Sequence, residues 1–145
     1  MNSIVTRHPQ PINSPPTWVM QLRETVQAGF PSPAEDLGAQ RIDLTAQLVT
    51  HPAATYLLQA RGTSMVEAGI FNGDILVVDR AIKPRHGHIV VAVVDGEFTV
   101  KTLYQRAGRT KLQAANVTFA DIVLKDGQQM EIWGVVTSSI KRFAP

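Results

Sequence analysis

Two side chains in this sequence are of types that could do covalent chemistry together: Ser64, in Gly62-Thr63-Ser64-Met65, and Lys101, in Phe98-Thr99-Val100-Lys101. A serine hydroxyl is a poor nucleophile until a base takes its proton, and a neutral lysine amine can be that base. At the ordinary lysine pKa of ~10.4 only about one amine in 2,500 is neutral at pH 7, so the chemistry demands a site that depresses it. Burial among apolar side chains does so, because desolvation penalises the ammonium. The bond such a pair could cut lies upstream. Ala28-Gly29 sits in Gln27-Ala28-Gly29-Phe30-Pro31-Ser32-Pro33-Ala34, where glycine and two prolines oppose regular structure and leave an extended linker.

Each of these residues also has an ordinary reading. A serine near glycine serves as a turn residue or caps a short helix, here over 65–68. A lysine on a strand is commonly a solvated edge charge. The proline-bearing linker could be a plain hinge. If Ser64 does react, the turn that Gly62 permits leaves unpaired N–H groups near the helix start, and those of Thr63 and Ser64 are the candidates for an oxyanion hole. His86 and His88 could ligate a metal but have no third ligand beside them, so the reading is a solvated loop with no metal.

The elements that must position these groups are mostly strands. The segments 55–60, 74–79, 88–94, 97–104, 110–114 and 131–139 are rich in Val, Ile, Leu or aromatics, which implies a compact, mostly β domain. Asp95-Gly96 between two of them predicts a tight hairpin turn. Ile89 to Val94 is apolar without alternation, so that strand is expected to lie centrally with both faces covered. Its partner carries Lys101. Alternation places Thr99, Lys101 and Leu103 on one side of that partner, and Phe98, Val100 and Thr102 on the other.

Ahead of the linker the texture differs. Pro9, Pro11, Pro15 and Pro16, with few large apolar residues, make residues 1–16 a mobile arm. Val19, Leu22 and Val26, with Trp18 beside them, allow a short amphipathic helix or an adhesive strip. With 145 residues, 44% of them hydrophobic, one folded unit plus a tail is expected. The 14 Lys and Arg against 12 Asp and Glu leave a formal charge of +2, too little for a general nucleic-acid-binding field. The absence of cysteine excludes disulfides, thiolate metal sites and cysteine nucleophiles. No apolar run approaches the ~18 residues of a membrane span, so a cytoplasmic protein without a membrane anchor is expected.

In order along the chain stand Gly29-Phe30-Pro31-Ser32-Pro33-Ala34, Gly62-Thr63-Ser64-Met65, Gly73-Asp74-Ile75-Leu76-Val77-Val78-Asp79, His86-Gly87 and Asp95-Gly96-Glu97-Phe98-Thr99-Val100-Lys101. This combination resembles the LexA-like family of self-cleaving Ser-Lys proteins, and within it the short UmuD-like members, from about Gln27 to the C-terminus. The resemblance implies a LexA/signal-peptidase-like β domain over 29–145, preceded by a flexible N-terminal arm, 1–28, that self-cleavage removes. It implies Ser64 as nucleophile, Lys101 as general base and Ala28-Gly29 as the scissile bond.

It further implies a DNA-damage (SOS) response protein without a cofactor. A RecA filament on single-stranded DNA would stimulate its cleavage. Its shortened form would serve a UmuC-like Y-family lesion-bypass polymerase, and a homodimer is expected. This chain has Ala28 where UmuD-like members carry cysteine, Arg61 where a smaller residue is usual, and His88 where an acid is usual. The 28 residues before Gly29 are too few for the helix-turn-helix domain of LexA-type repressors, so no sequence-specific DNA binding is expected. The alternatives are a LexA-like transcriptional regulator lacking its own DNA-binding domain, which acts through protein contacts or binds DNA by the basic loop Arg80 to His88, and a peptidase acting on other proteins.

Overall fold

In a computed structural model of the chain, residues 15–22, 26, 39–124 and 127–144 are described. The six apolar segments form the six strands of one antiparallel sheet. In chain order these are β3 (Thr55–Gln59), β4 (Ile75–Asp79), β5 (Ile89–Val94), β6 (Glu97–Arg106), β7 (Arg109–Gln113) and β8 (Met130–Ile140), arranged β3-β4-β8-β5-β6-β7. β5 lies inside the sheet, between β8 and β6, with Val90, Val91 and Ala92 fully buried. Its two faces feed two cores. Val91 packs with Leu58, Met65, Ile70, Leu76 and Val78, and Val90 and Ala92 pack with Leu103, Leu112 and Val135. The lack of alternation in Ile89 to Val94 is thus the mark of a strand covered on both sides.

Asp95 and Gly96 join β5 to β6 with φ of 49° and 82°, the paired positive values of a two-residue hairpin turn. A second such turn, Ala107-Gly108 with φ of 52° and 72°, joins β6 to β7. It escapes a reading of turn residues because alanine is an unusual occupant of left-handed backbone. β-Bulges interrupt the pairing of β8 with β4 between Val77 and Val78, and with β5 between Val91 and Ala92. They sharpen the local twist and curl the sheet.

One expectation needs correction. The segment following Pro16 forms strand β1 (Trp18–Leu22), paired antiparallel with β2 (Ala39–Asp43), and not a helix; the adhesive-strip alternative describes it better. The contact is tied at Asp43, whose carboxylate accepts the N–H of Thr17 and of Thr45, so that it also caps the short helix α1 (Leu44–Leu48). Arg41 lies over the Trp18 ring. Residues 1–14 of the expected arm and all of the 27–34 linker lie outside the described residues. Among the described residues, no helix is long and apolar enough to cross a membrane.

Candidate active site

Ser64 sits in the loop after β3, and Lys101 on β6, four strand positions away in the sheet. At about 4.8 Å per step a flat sheet would hold β3 and β6 about 19 Å apart. The five residues from Gln59 to Ser64 reach at most about 17 Å fully stretched, and this loop is not stretched. The two strands instead meet over one core, which holds Leu58 of β3 and has Val100 of β6 packed against it, and Lys101 Nζ lies 2.9 Å from Ser64 Oγ.

The serine loop is held from several directions. Gly62, at φ +92°, takes a conformation that a side chain would strain, and its N–H donates to the Asn72 side chain. The Asn116 amide donates to the Thr63 carbonyl, and Glu67 N–H to the Ala115 carbonyl. Met65 is buried beneath the loop. Ser64 does not cap the following helix, contrary to expectation. That helix is a 3-10 turn, Val66–Ala68, whose N-cap position is Met65 and has no side-chain cap. The Ser64 hydroxyl is committed to the lysine instead. The backbone N–H groups of Thr63 and Ser64 meet no acceptor among the described residues.

Lys101 is only 8% exposed. Desolvation by burial holds its pKa below the ordinary value of 10.5, and it forms no ion pair among the described residues. Nζ has three partners: Ser64 Oγ at 2.9 Å, Thr99 Oγ1 at 2.9 Å and the Val100 carbonyl at 3.0 Å. A neutral amine has two N–H donors and one lone pair. The Val100 carbonyl can only accept, and Thr99 can accept, so the lone pair falls to the Ser64 O–H. The same three contacts also satisfy the ammonium, so the site serves both protonation states without rearrangement. Thr99 was legible as a same-side neighbour of Lys101, yet its hydroxyl was not read as part of the site.

The pair opens into a cleft of ≈ 240 Å³ lined by Leu58, Met65, Ile70, Val91, Phe98 and Val100, with Arg61 and Gly62 also on its wall. Such a lining suits an apolar, extended segment of chain. Ala28 and Gly29 lie outside the described residues.

Two further groups were missed by sequence reasoning. Asn116 follows β7 in a polar stretch, where nothing local marks it. Asp74, 3% exposed, accepts Phe71 N–H at 2.9 Å and Lys141 Nζ at 2.7 Å, fastening the end of the serine loop to the tail of β8. Its signal was the Gly73-Asp74 pair, noted only as part of a motif. His86 and His88 are not brought to this site. Each uses Nδ1 to accept a backbone N–H, from Gln105 and Arg85 respectively, and no group of three ligating side chains exists among the described residues.

Residues 20–137 match the Peptidase S24-like family. Protein ImpA of Escherichia coli is 60% identical over 80 residues, which is 55% of this chain and 55% of that protein, so the match spans about half of ImpA's length. Protein MucA of Escherichia coli is 45% identical over 118 residues, 81% of this chain and 80% of MucA. The LexA repressor of Cupriavidus necator is 35% identical over 136 residues, 92% of this chain and 63% of that protein. The mostly antiparallel β fold and these matches agree, and the chain belongs to the Peptidase S24-like family, in its UmuD-like group.

Proposed function

We propose that this protein is an autoproteolytic serine peptidase of the SOS response, cutting its own Ala28-Gly29 bond with a Ser64-Lys101 dyad. The observation that carries this reading is the 2.9 Å contact between the Ser64 hydroxyl and a buried lysine amine with no ion pair among the described residues, both lining a largely apolar cleft. Neutral Lys101 accepts the Ser64 proton as Oγ attacks the Ala28 carbonyl carbon, and the N–H groups of Thr63 and Ser64 are the donors for the oxyanion. The proton on Lys101 then passes to the Gly29 amine as the C–N bond breaks. Water, giving its proton to Lys101, hydrolyses the resulting ester and frees Ser64.

Because the substrate is part of the same chain, its effective concentration is high, and control lies in how often the segment occupies the cleft. A RecA filament on single-stranded DNA shifts that population, and the shortened form, a cytoplasmic homodimer, serves a UmuC-like Y-family polymerase. The resemblance to UmuD-like proteins supports these partners. The test is to incubate the purified chain with RecA, nucleotide and single-stranded DNA and weigh the fragments. One cut after Ala28 is expected, with Ser64→Ala and Lys101→Ala left intact. Cleavage in either variant overturns the assigned chemistry. The likeness to a LexA repressor favours one second reading, a transcriptional regulator, which steeply salt-dependent, sequence-selective DNA binding by the purified protein would support.

A further inference from the structure

Strand β6 carries Lys101 near its middle, and about 10 Å further along it carries Tyr104, then Arg106 at its end. Around that end the fold gathers cations that the peptidase reading leaves unused. The loop before β5 is bonded onto β6 through Gly87 N–H to the Leu103 carbonyl and Leu103 N–H to the His88 carbonyl, both 2.8 Å. This brings Lys83 and Arg85 to the side of β6 that ends in the β6–β7 hairpin, where Arg106 pairs directly with Arg109 and Tyr104 with Lys111. Lys83, Arg85, Arg106 and Arg109 are exposed and have no carboxylate partner among the described residues. The one acid here is Asp121, which pairs with Lys111. Five cations against one carboxylate exceed the chain's total of +2, so the remainder of the chain carries net negative charge.

Two features distinguish this face from a merely solvated one. Arg106 and Arg109 oppose each other across a tight turn, and like charges directly opposite cost stability rather than provide it. One of the cations also lies over a ring, and a second ring is exposed beside it. His86, exposed, lies edge to face on Tyr104 at 5.2 Å, and Lys111 lies over the same ring at 4.8 Å. Gln105 N–H donates to His86 Nδ1 at 3.0 Å, which fixes the orientation of the imidazole and leaves the proton of the neutral ring on Nε2, as a donor. His88 is held in the same tautomer by Arg85 N–H. The face therefore presents guanidinium forks, imidazole N–H donors and a positioned exposed ring.

We propose that this face, the 83–88 loop with the β6–β7 hairpin, binds single-stranded nucleic acid, its cations on the phosphates and its exposed His86 ring, braced edge to face by Tyr104, against an unpaired base. Guanidinium groups match phosphate geometry bidentately, and aromatic platforms between cations are the common device for single strands. A duplex hides its base faces, and an acidic protein segment offers nothing to the ring. The site is separate from the dyad, so its failure would leave the peptidase reading standing.

The test is fluorescence anisotropy of a labelled oligothymidine with the full chain, titrated at several salt concentrations. With about four phosphates neutralised, affinity is expected to fall roughly fiftyfold between 50 and 200 mM salt. The double variant R106Q/R109Q is expected to lose most of the binding and to flatten the salt dependence, with its thermal midpoint unchanged or raised as the opposed charges are relieved. H86A is expected to weaken binding with the salt slope preserved, which separates stacking from charge. Four outcomes overturn the proposal: no binding at 50 mM salt, equal binding by R106Q/R109Q, duplex bound as well as the single strand, or competition by polyglutamate as effective as by oligothymidine.

Discussion

Varying pH alone, with no activator present, tests the dyad most directly. At the ordinary lysine value of 10.5, about one amine in a thousand is neutral at pH 7.5, and that fraction rises about tenfold per pH unit. Desolvation lowers the value for Lys101, and among the described residues no carboxylate holds the ammonium in place. The self-cleavage rate, followed as the 29–145 fragment appears by mass spectrometry from pH 6.5 to 11, is therefore expected to climb about tenfold per pH unit and to bend to a plateau below pH 10.5. Lys101→Arg keeps a positive charge throughout this range, since guanidinium does not deprotonate in proteins, and is expected to be inactive at every pH.

Thr99→Val adds a finer check. It removes one acceptor of the ammonium, so the bend is expected to move to lower pH, while the less firmly held amine lowers the plateau. A rate indifferent to pH, a bend at or above 10.5, or cleavage by Lys101→Arg would refute the reasoning that burial makes this lysine a base.

Three further expectations concern the scaffold. Burial raises the Asp74 pKa, but the hydrogen bond from Lys141, the Phe71 N–H and the Lys141 charge together outweigh it and leave the carboxyl below its ordinary 3.8. Its stabilising effect is thus present above pH 3.8 and lost as pH falls through the depressed value. Lys141→Ala, at a half-exposed partner, is expected to cost about 1–2 kcal/mol in urea unfolding at pH 7 and much less near pH 2; an equal cost at both would assign the effect to the Lys141 ammonium over the Phe71 ring. Ala107→Gly relieves a left-handed alanine and is expected to raise stability by about 0.5–1 kcal/mol, read as a higher thermal midpoint. Asp43→Ala deprives the Thr17 and Thr45 N–H groups of their acceptor. It should cost about 1 kcal/mol and speed amide exchange in β1 before β5, and unchanged exchange in β1 would show that the β1–β2 pair does not depend on that cap.

The strands of the main sheet were legible because their signals are local. Ile89-Val90-Val91-Ala92-Val93-Val94 announces a strand buried on both sides, and Asp95-Gly96 announces the turn that ends it. β1 was less legible because Trp18 to Leu22 acquires its strand form from a partner beyond the 23–38 segment, and β2 is too polar to advertise the pairing. The residue types at 64 and 101, and the chemistry open to them, were likewise readable from the chain. Their pairing as nucleophile and base was implied only by the resemblance, because a serine near glycine and a lysine on a strand each have common and inert explanations.

Folding settled the distance and the environment. Ser64 and Lys101 are separated by 37 positions in sequence and by four strands in the sheet, and the packing of β3, β5 and β6 around one core brings them to 2.9 Å. The desolvation that lowers the lysine pKa comes from burial in the folded sheet, to which segments with no local relation to one another contribute. Identity and periodicity are properties of short stretches of chain, whereas proximity and dielectric environment depend on every element that packs around a group.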